Sequence, residues 1–356
     1  MHCILATIAA LVPWISPVGS APTSRPADAR QGPPFPRIAN CYGAQLRPTT
    51  TDEQLGKLAR YDRLIGGTQG AWSNAEAVKP FAAKVATLRK KNPHIIVLEF
   101  SSSAPYLARW EQYPSFPDDG WLLTPEGTMI DGWPGSKMIN LLRPRVVSWQ
   151  AARSLESIVR RRHHGSFIDC MGPRFDWWAC EIATGKAYRI DADGDGQADE
   201  RAWLDDQWRG AKRRLAREVR QAIGPDGLFM ANQAGRETFD VVNGILLEDY
   251  LDYVLDKGLD WRRTLDDYLY WTGTPHRPNL TTIVSSSGIE PPFEPWRSMT
   301  EPQRQAMLDK GYALQQRMRF GLTTTLMGDG YFAYDLHTRW RGRSEERRVG
   351  KECRSR

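Results

Sequence analysis

Short apolar runs recur along the chain, with helix-length amphipathic stretches between most of them. Runs of this length bounded by Gly, Pro and polar residues read as buried strands. They fall at 37–45 (RIANCYGAQ), 61–67 (YDRLIGG), 94–103 (HIIVLEFSSS), 166–172 (SFIDCMG), 227–232 (GLFMAN), 244–250 (GILLEDY), 280–286 (LTTIVSS) and 322–327 (LTTTLM). Helices are expected at 55–60, 75–91, 149–162, 204–223, 259–271 and 301–320. The second puts Val78, Phe81, Ala82, Val85 and Leu88 on one face before Pro93 ends it. The last has a Thr300 cap and Pro302 in its first turn. Eight buried strands mostly separated by helices predict an α/β fold, a (β/α)8 TIM barrel. Long insertions at 104–148 and 173–201 follow the third and fourth strands, and the last helix would lie beyond residue 342. A doubly wound open sheet is the rival, but no GxGxxG follows the first strand.

In a barrel the loops after the strands share one face, so residues remote in sequence converge there. The fourth strand ends in Asp169 and the sixth in Glu248, followed by Asp249. Two carboxylates at one mouth are the equipment for acid/base or nucleophilic work on a glycosidic bond. Side chains alternate along a strand, so only one of Glu248 and Asp249 should face the mouth. Asn232 closes the fifth strand. The segment 328–335 (GDGYFAYD) reads as a loop after the eighth strand, presenting Asp329, Tyr331 and Asp335 to a ligand. Five tryptophans, Trp110, Trp121, Trp133, Trp177 and Trp178, lie in the insertions, where flat rings could stack on sugars or pack the loops. Trp177 and Trp178 stand nearest Asp169 in sequence. Glu99, inside the third strand, reads as a buried, paired acid under the site.

A second acidic pattern occupies 191–199, DADGDGQAD. Asp191, Asp193, Asp195, Gln197 through its carbonyl, and Asp199 match the first nine positions of an EF-hand-type loop, with Gly196 at the turn. The twelfth position is Ala202, so Asp205 or Asp206 would have to replace the usual Glu. The expected ligand is a structural calcium ion, against the alternative of a solvated acidic turn.

Composition alters this picture little. The chain has 41% hydrophobic and 25% charged residues, as a soluble globular protein has. The run Cys3 to Ile15 is apolar, too short to span a bilayer, and followed by small residues. It predicts an export signal over 1–21, a Pro- and Ala-rich linker over 22–36, and a secreted or periplasmic protein. Residues 343–356 (RSEERRVGKECRSR) resemble translated sequencing-adapter sequence and contribute +3 of the formal +6 charge. No nucleic-acid or membrane partner is therefore inferred from the basic balance. Of the remaining cysteines, Cys170 and Cys180 are placed to bridge and Cys41 reads as a small buried hydrophobe. No CxxC pair supports a zinc ribbon.

Taken together, YDRLIGG, SFIDCMG, MANQAG, NGILLEDY and TTTLMGDGYFAYD resemble hypothetical glycosyl hydrolase family 15, a group of barrel enzymes related to α-galactosidases and α-glucosidases. The resemblance spans roughly 37–342 and implies a nucleophilic Asp169 and a proton-donating Glu248. The related α-galactosidases have Asp at the second position, which leaves Asp249 in contention. The expectation is thus a secreted retaining glycosidase acting on a poly- or oligosaccharide, with an α linkage. A non-catalytic carbohydrate-binding barrel is the alternative. A metal-dependent hydrolase is disfavoured because 38–45 lacks the paired His such barrels carry.

Overall fold

The computed structural model describes residues 35–41, 46, 49–66, 75–108, 113, 115–132, 136–159, 162–175, 188–287, 299–313 and 315–335. The export-signal reading, most of the linker, Cys180 and the tail lie outside them.

Eight strands run parallel in chain order: β1 (Ala39–Asn40), β2 (Arg63–Gly66), β3 (Ile96–Ser103), β6 (Gly165–Asp169), β7 (Leu228–Asn232), β8 (Gly244–Leu247), β9 (Thr282–Ser286) and β10 (Tyr331–Asp335). A parallel bridge between Ile38 and Phe332 joins the last strand to the first, and Phe332 N–H donates to the Arg37 carbonyl at 2.9 Å. The sheet is therefore a (β/α)8 barrel. Its helices are α1 (Asp52–Leu58), α2 (Ala75–Lys91), α3 (Pro144–Val159), α4 (Arg201–Ile223), α5 (Tyr250–Lys257), α6 (Trp261–Thr272), α7 (Glu301–Ala313) and α8 (Gln315–Thr325). The insertion after β3 carries a hairpin, β4 (Tyr106–Ala108) against β5 (Ser136–Met138).

Period-two alternation sorts the strand residues into two layers. Leu98, Phe167, Met230, Leu246, Val284 and Ala333 fill the lumen. Their neighbours Ile168, Phe229, Ala231, Ile245 and Ile283 point outward, into the core shared with the helices. That outer core also takes in Phe116, Leu122, Ile130 and Met138 of the first insertion, which is packed structure rather than loose loop.

Three sequence expectations are corrected. The segment 322–327 is not a strand but the end of α8 and the turn after it. Its threonines were the misleading signal, since β-branched residues favour strands. Here Thr323 and Thr325 return their hydroxyls to the carbonyls of Arg319 and Gly321, and the helix packs Gly321 directly against Phe332. Secondly, α3 begins at Pro144, where a missing N–H costs nothing in a first turn. Thirdly, the sixth strand stops at Leu247, short of the expected 250, and Tyr250 opens a further helix, α5, which ends at Gly258 with a left-handed φ of 66°.

Candidate active site

The alternation that fills the lumen also aims the site. Two residues beyond the inward Phe167, Met230 and Leu246 come Asp169, Asn232 and Glu248. All three thus face inward at the same end of adjacent strands β6, β7 and β8. Asn232 sits between the acids and bonds to both. Its Nδ2 donates to Asp169 Oδ1 at 2.8 Å and to Glu248 Oε2 at 3.1 Å. Asp169 Oδ1 also accepts the Cys170 backbone N–H at 2.8 Å. An amide has two N–H bonds on that nitrogen, so one side chain offers a donor to each carboxylate.

Each of the three strands leaves this row through a left-handed residue: Cys170 (φ 56°), Gln233 (φ 52°) and Asp249 (φ 53°). None is glycine, and for Cys170 and Gln233 the conformation costs about 1 kcal/mol or more, a strain that concentrates where side-chain placement matters. Backbone bonds hold it in place. Met171 N–H donates to the Asn232 carbonyl at 3.0 Å, and Gln233 N–H to the Leu246 carbonyl at 3.2 Å. Asp249 itself is the residue flanking α5, so the acid joined to the Asn232 network is Glu248.

Helix α4 grips the chain beyond Asp169 from behind. Lys212 Nζ donates to the Gly172 carbonyl at 2.5 Å, and Asp205 Oδ1 accepts the Phe175 N–H at 2.7 Å. The Phe175 ring meets Trp208 edge-on at 4.5 Å. Asp205, Trp208 and Lys212 lie three and four residues apart and so share one helix face. Lys212 is 1% exposed. Sequence periodicity shows only a basic amphipathic helix here; the signal for a buried lysine was its place beside the apolar stripe Leu204, Trp208, Ala211 and Leu215.

Other expected residues fall elsewhere. Asp329 and Tyr331 are not in a loop after the eighth strand, because GDGYFAYD contains that strand. Asp329 precedes β10, at the opposite end of the barrel, and pairs with Arg37 at 2.5 Å and Arg277 at 3.5 Å. Tyr331 is buried in the lumen with the Arg63 guanidinium 5.2 Å from its ring centre, and burial pushes its phenol up. Asp335 closes β10 in register with Ser286, at the Asp169 end. Trp110, Trp133, Trp177 and Trp178 lie outside the described residues. Trp121 packs on Phe116 at 4.4 Å, as loop core. Glu99 is buried and paired with His163 Nε2 at 3.1 Å, but it faces the helix layer rather than lying beneath the mouth. Cys41 is buried, with Arg63 Nη2 donating to its sulfur at 3.4 Å.

The acidic loop is wound as its spacing implies. Carboxylate oxygens of Asp191, Asp193 and Asp195 lie within 4.8 Å of one another. Asp191 accepts the N–H groups of Gly194, Asp195 and Gly196, and Asp199 that of Ala192. The Asp199 carboxyl is pushed up, first by burial and then by the neighbouring acids. Gln197 donates its N–H to Asp195 Oδ1 at 2.7 Å. Asp205 and Asp206 do not supply the missing ligand: the first holds Phe175 and lies 3.6 Å from Arg201, and the second pairs with Arg209.

A parallel (β/α)8 barrel with inward carboxylates on its fourth and sixth strands is an arrangement compatible with glycosidases. Residues 89–347 match the family described as hypothetical glycosyl hydrolase family 15, and the chain belongs to that family. No curated protein matches it significantly. Among solved structures it is similar to a Flavobacterium johnsoniae dextranase complexed with glucose, at 14% identity and a TM-score of 0.47, over 89% of this chain and 38% of that one. It is similar also to a Lactobacillus brevis α-galactosidase, at 11% identity and a TM-score of 0.46, over 90% and 40%. A third is Aspergillus fumigatus Ega3 complexed with galactosamine, at 12% identity and a TM-score of 0.43, over 85% and 90%. The chain thus spans under half the length of the galactosidase and the dextranase. Membership rests on the family match.

Proposed function

We propose that the chain is a retaining glycoside hydrolase for an α-linked poly- or oligosaccharide, with Asp169 as nucleophile and Glu248 as acid/base. The observation that carries this is the shared amide. Two oxygens that both lie within 3.1 Å of Asn232 Nδ2 are at most about 6 Å apart, close to the ~5–5.5 Å of retaining pairs and short of the wider spacing that admits a water. In this reading Asp169 attacks the anomeric carbon while Glu248 protonates the departing oxygen. A glycosyl ester forms on Asp169, and Glu248, now ionised, takes a proton from the water that releases the sugar. Asn232 holds both groups at the reacting distance, and the α4 clamp fixes the backbone beyond Asp169.

The loop 191–199 is proposed to hold a structural calcium ion through Asp191, Asp193, Asp195, the Gln197 carbonyl and Asp199, whose hard oxygens suit that cation. It would relieve the mutual repulsion of four acids and firm the start of α4, taking no part in the chemistry. Export from the cytoplasm is proposed on the sequence pattern of residues 1–21.

D169A and E248A should each lower kcat on the hydrolysed glycan by about 10³-fold or more while leaving the melting temperature within a few degrees. Full activity in D169A would remove the assignment.

A further inference from the structure

Gln233 follows Asn232 and stands on the middle strand of the three that carry the site. It is exposed, whereas Asn232 before it and Ala234 after it are buried. Its φ of 52° lies in the left-handed region, which Gly tolerates freely and Asn or Asp far better than Gln. The conformation is imposed from both sides. Its own N–H is tied to the Leu246 carbonyl at 3.2 Å, and the carbonyl just before it accepts Met171 N–H at 3.0 Å. Gly172, in the loop beyond Asp169, would place a Cβ 3.7 Å from the Gln233 carbonyl, so residue 233 abuts that loop.

A glycine here would fold with less strain, and an asparagine with little. The chain instead carries a long amide whose side chain makes no hydrogen bond with any described residue. A strained, exposed, polar side chain rooted beside the amide that joins two catalytic carboxylates has a partner outside the protein. Resting on the retaining-glycosidase reading above, we propose that Gln233 is a sugar-contacting residue. Its side-chain amide hydrogen-bonds a ring hydroxyl of the glycosyl unit held between Asp169 and Glu248. An amide both donates and accepts, so it suits a hydroxyl group, which does the same, and it reads that hydroxyl by position. Cys170 and Asp249 share the backbone conformation, but Asp belongs to the types that adopt it readily, and Cys170 is half-buried with little polar reach.

The test uses Q233G, Q233A and Q233N in the full chain, with D169A as control, on 4-nitrophenyl α-glycosides of glucose, galactose and mannose. Without substrate, Q233G should melt about 2 °C above Q233A, because glycine relieves the left-handed strain and alanine does not. On whichever glycosides the wild type hydrolyses, Q233G and Q233A should lose about 10-fold in kcat/KM. Q233N, which keeps an amide, should lose less, and the preference among the three sugars should narrow in the Gly and Ala variants. A more stable, less active Q233G is the signature of a residue kept for its ligand. Unchanged kcat/KM and sugar preference in both truncations, with D169A dead, would overturn the role of Gln233 alone. Turnover by D169A, or none of the three glycosides hydrolysed by the wild type, would overturn the reading on which it rests.

Discussion

The two ends of the barrel handle acids in opposite ways. At the end where the strands start, Asp329 is neutralised by Arg37 and Arg277, and the strand behind it seats Tyr331 under Arg63. This is an ion-paired seam at the point where β10 meets β1. Where the strands end, Asp169 and Glu248 are drawn together by one neutral amide, and the backbone beyond each is strained. Charges that serve the fold are matched with opposite charge. Charges proposed to serve chemistry are held instead by an amide dipole, a bond that brings no counter-charge. In the proposed reading, the location of an acid along its strand, more than its burial, would separate the structural carboxylates from the catalytic pair.

Substitutions at the two ends should break differently. After the two acids themselves, the largest effect belongs to N232A, which frees both carboxylates at once. It should lower kcat/KM by about 100-fold with a change in melting temperature of only a few degrees, read by steady-state kinetics and thermal melts. An equal loss of stability with intact kinetics would place Asn232 among the structural groups. Next is D329N, which removes the counter-charge of the buried Arg37. Because Asp329 is partly exposed, the cost should be about 1–2 kcal/mol of stability, and kcat/KM should stay within about 2-fold of wild type.

The smallest effect is at the acidic loop, a third solution in which acids are stacked together. The Asp199 pKa is raised, so the folded state favours its protonated form. With metal chelated, its contribution to stability is present below pH ~4 and is lost as pH rises through the raised value. Added calcium should reverse that decline by favouring the ionised carboxylate, and D199N should flatten it. Melting curves between pH 3.5 and 6 with chelator or calcium measure all three; identical curves with and without calcium would leave a solvated acidic turn.

Much of this was legible in the sequence, and the failures have physical causes. Apolar runs located seven of the eight barrel strands, because a buried parallel strand must be apolar on both faces. The eighth was displaced because Thr323 and Thr325 satisfy their hydroxyls within a helix, and tertiary packing against Phe332 outweighs strand propensity. That error carried Asp329 and Tyr331 from one end of the barrel to the other. Asp169, Asn232 and Glu248 were readable because each ends an apolar run with inward parity. The Asn232 bridge, the buried Lys212 and the strain at Gln233 were not, since contacts across strands and left-handed residues leave no periodic trace. The tryptophans could not be sorted by sequence either; Trp121 turned out to be packing.

In the proposed mechanism Asp169 is the nucleophile that forms the covalent intermediate. Mass spectrometry of peptides after treatment with an activated fluoro-glycosyl inactivator tests it most directly. A sugar adduct on the peptide containing Asp169, absent from D169A, is the predicted result. An adduct on Glu248 or Asp249, or hydrolysis with inversion and no adduct at all, would contradict it.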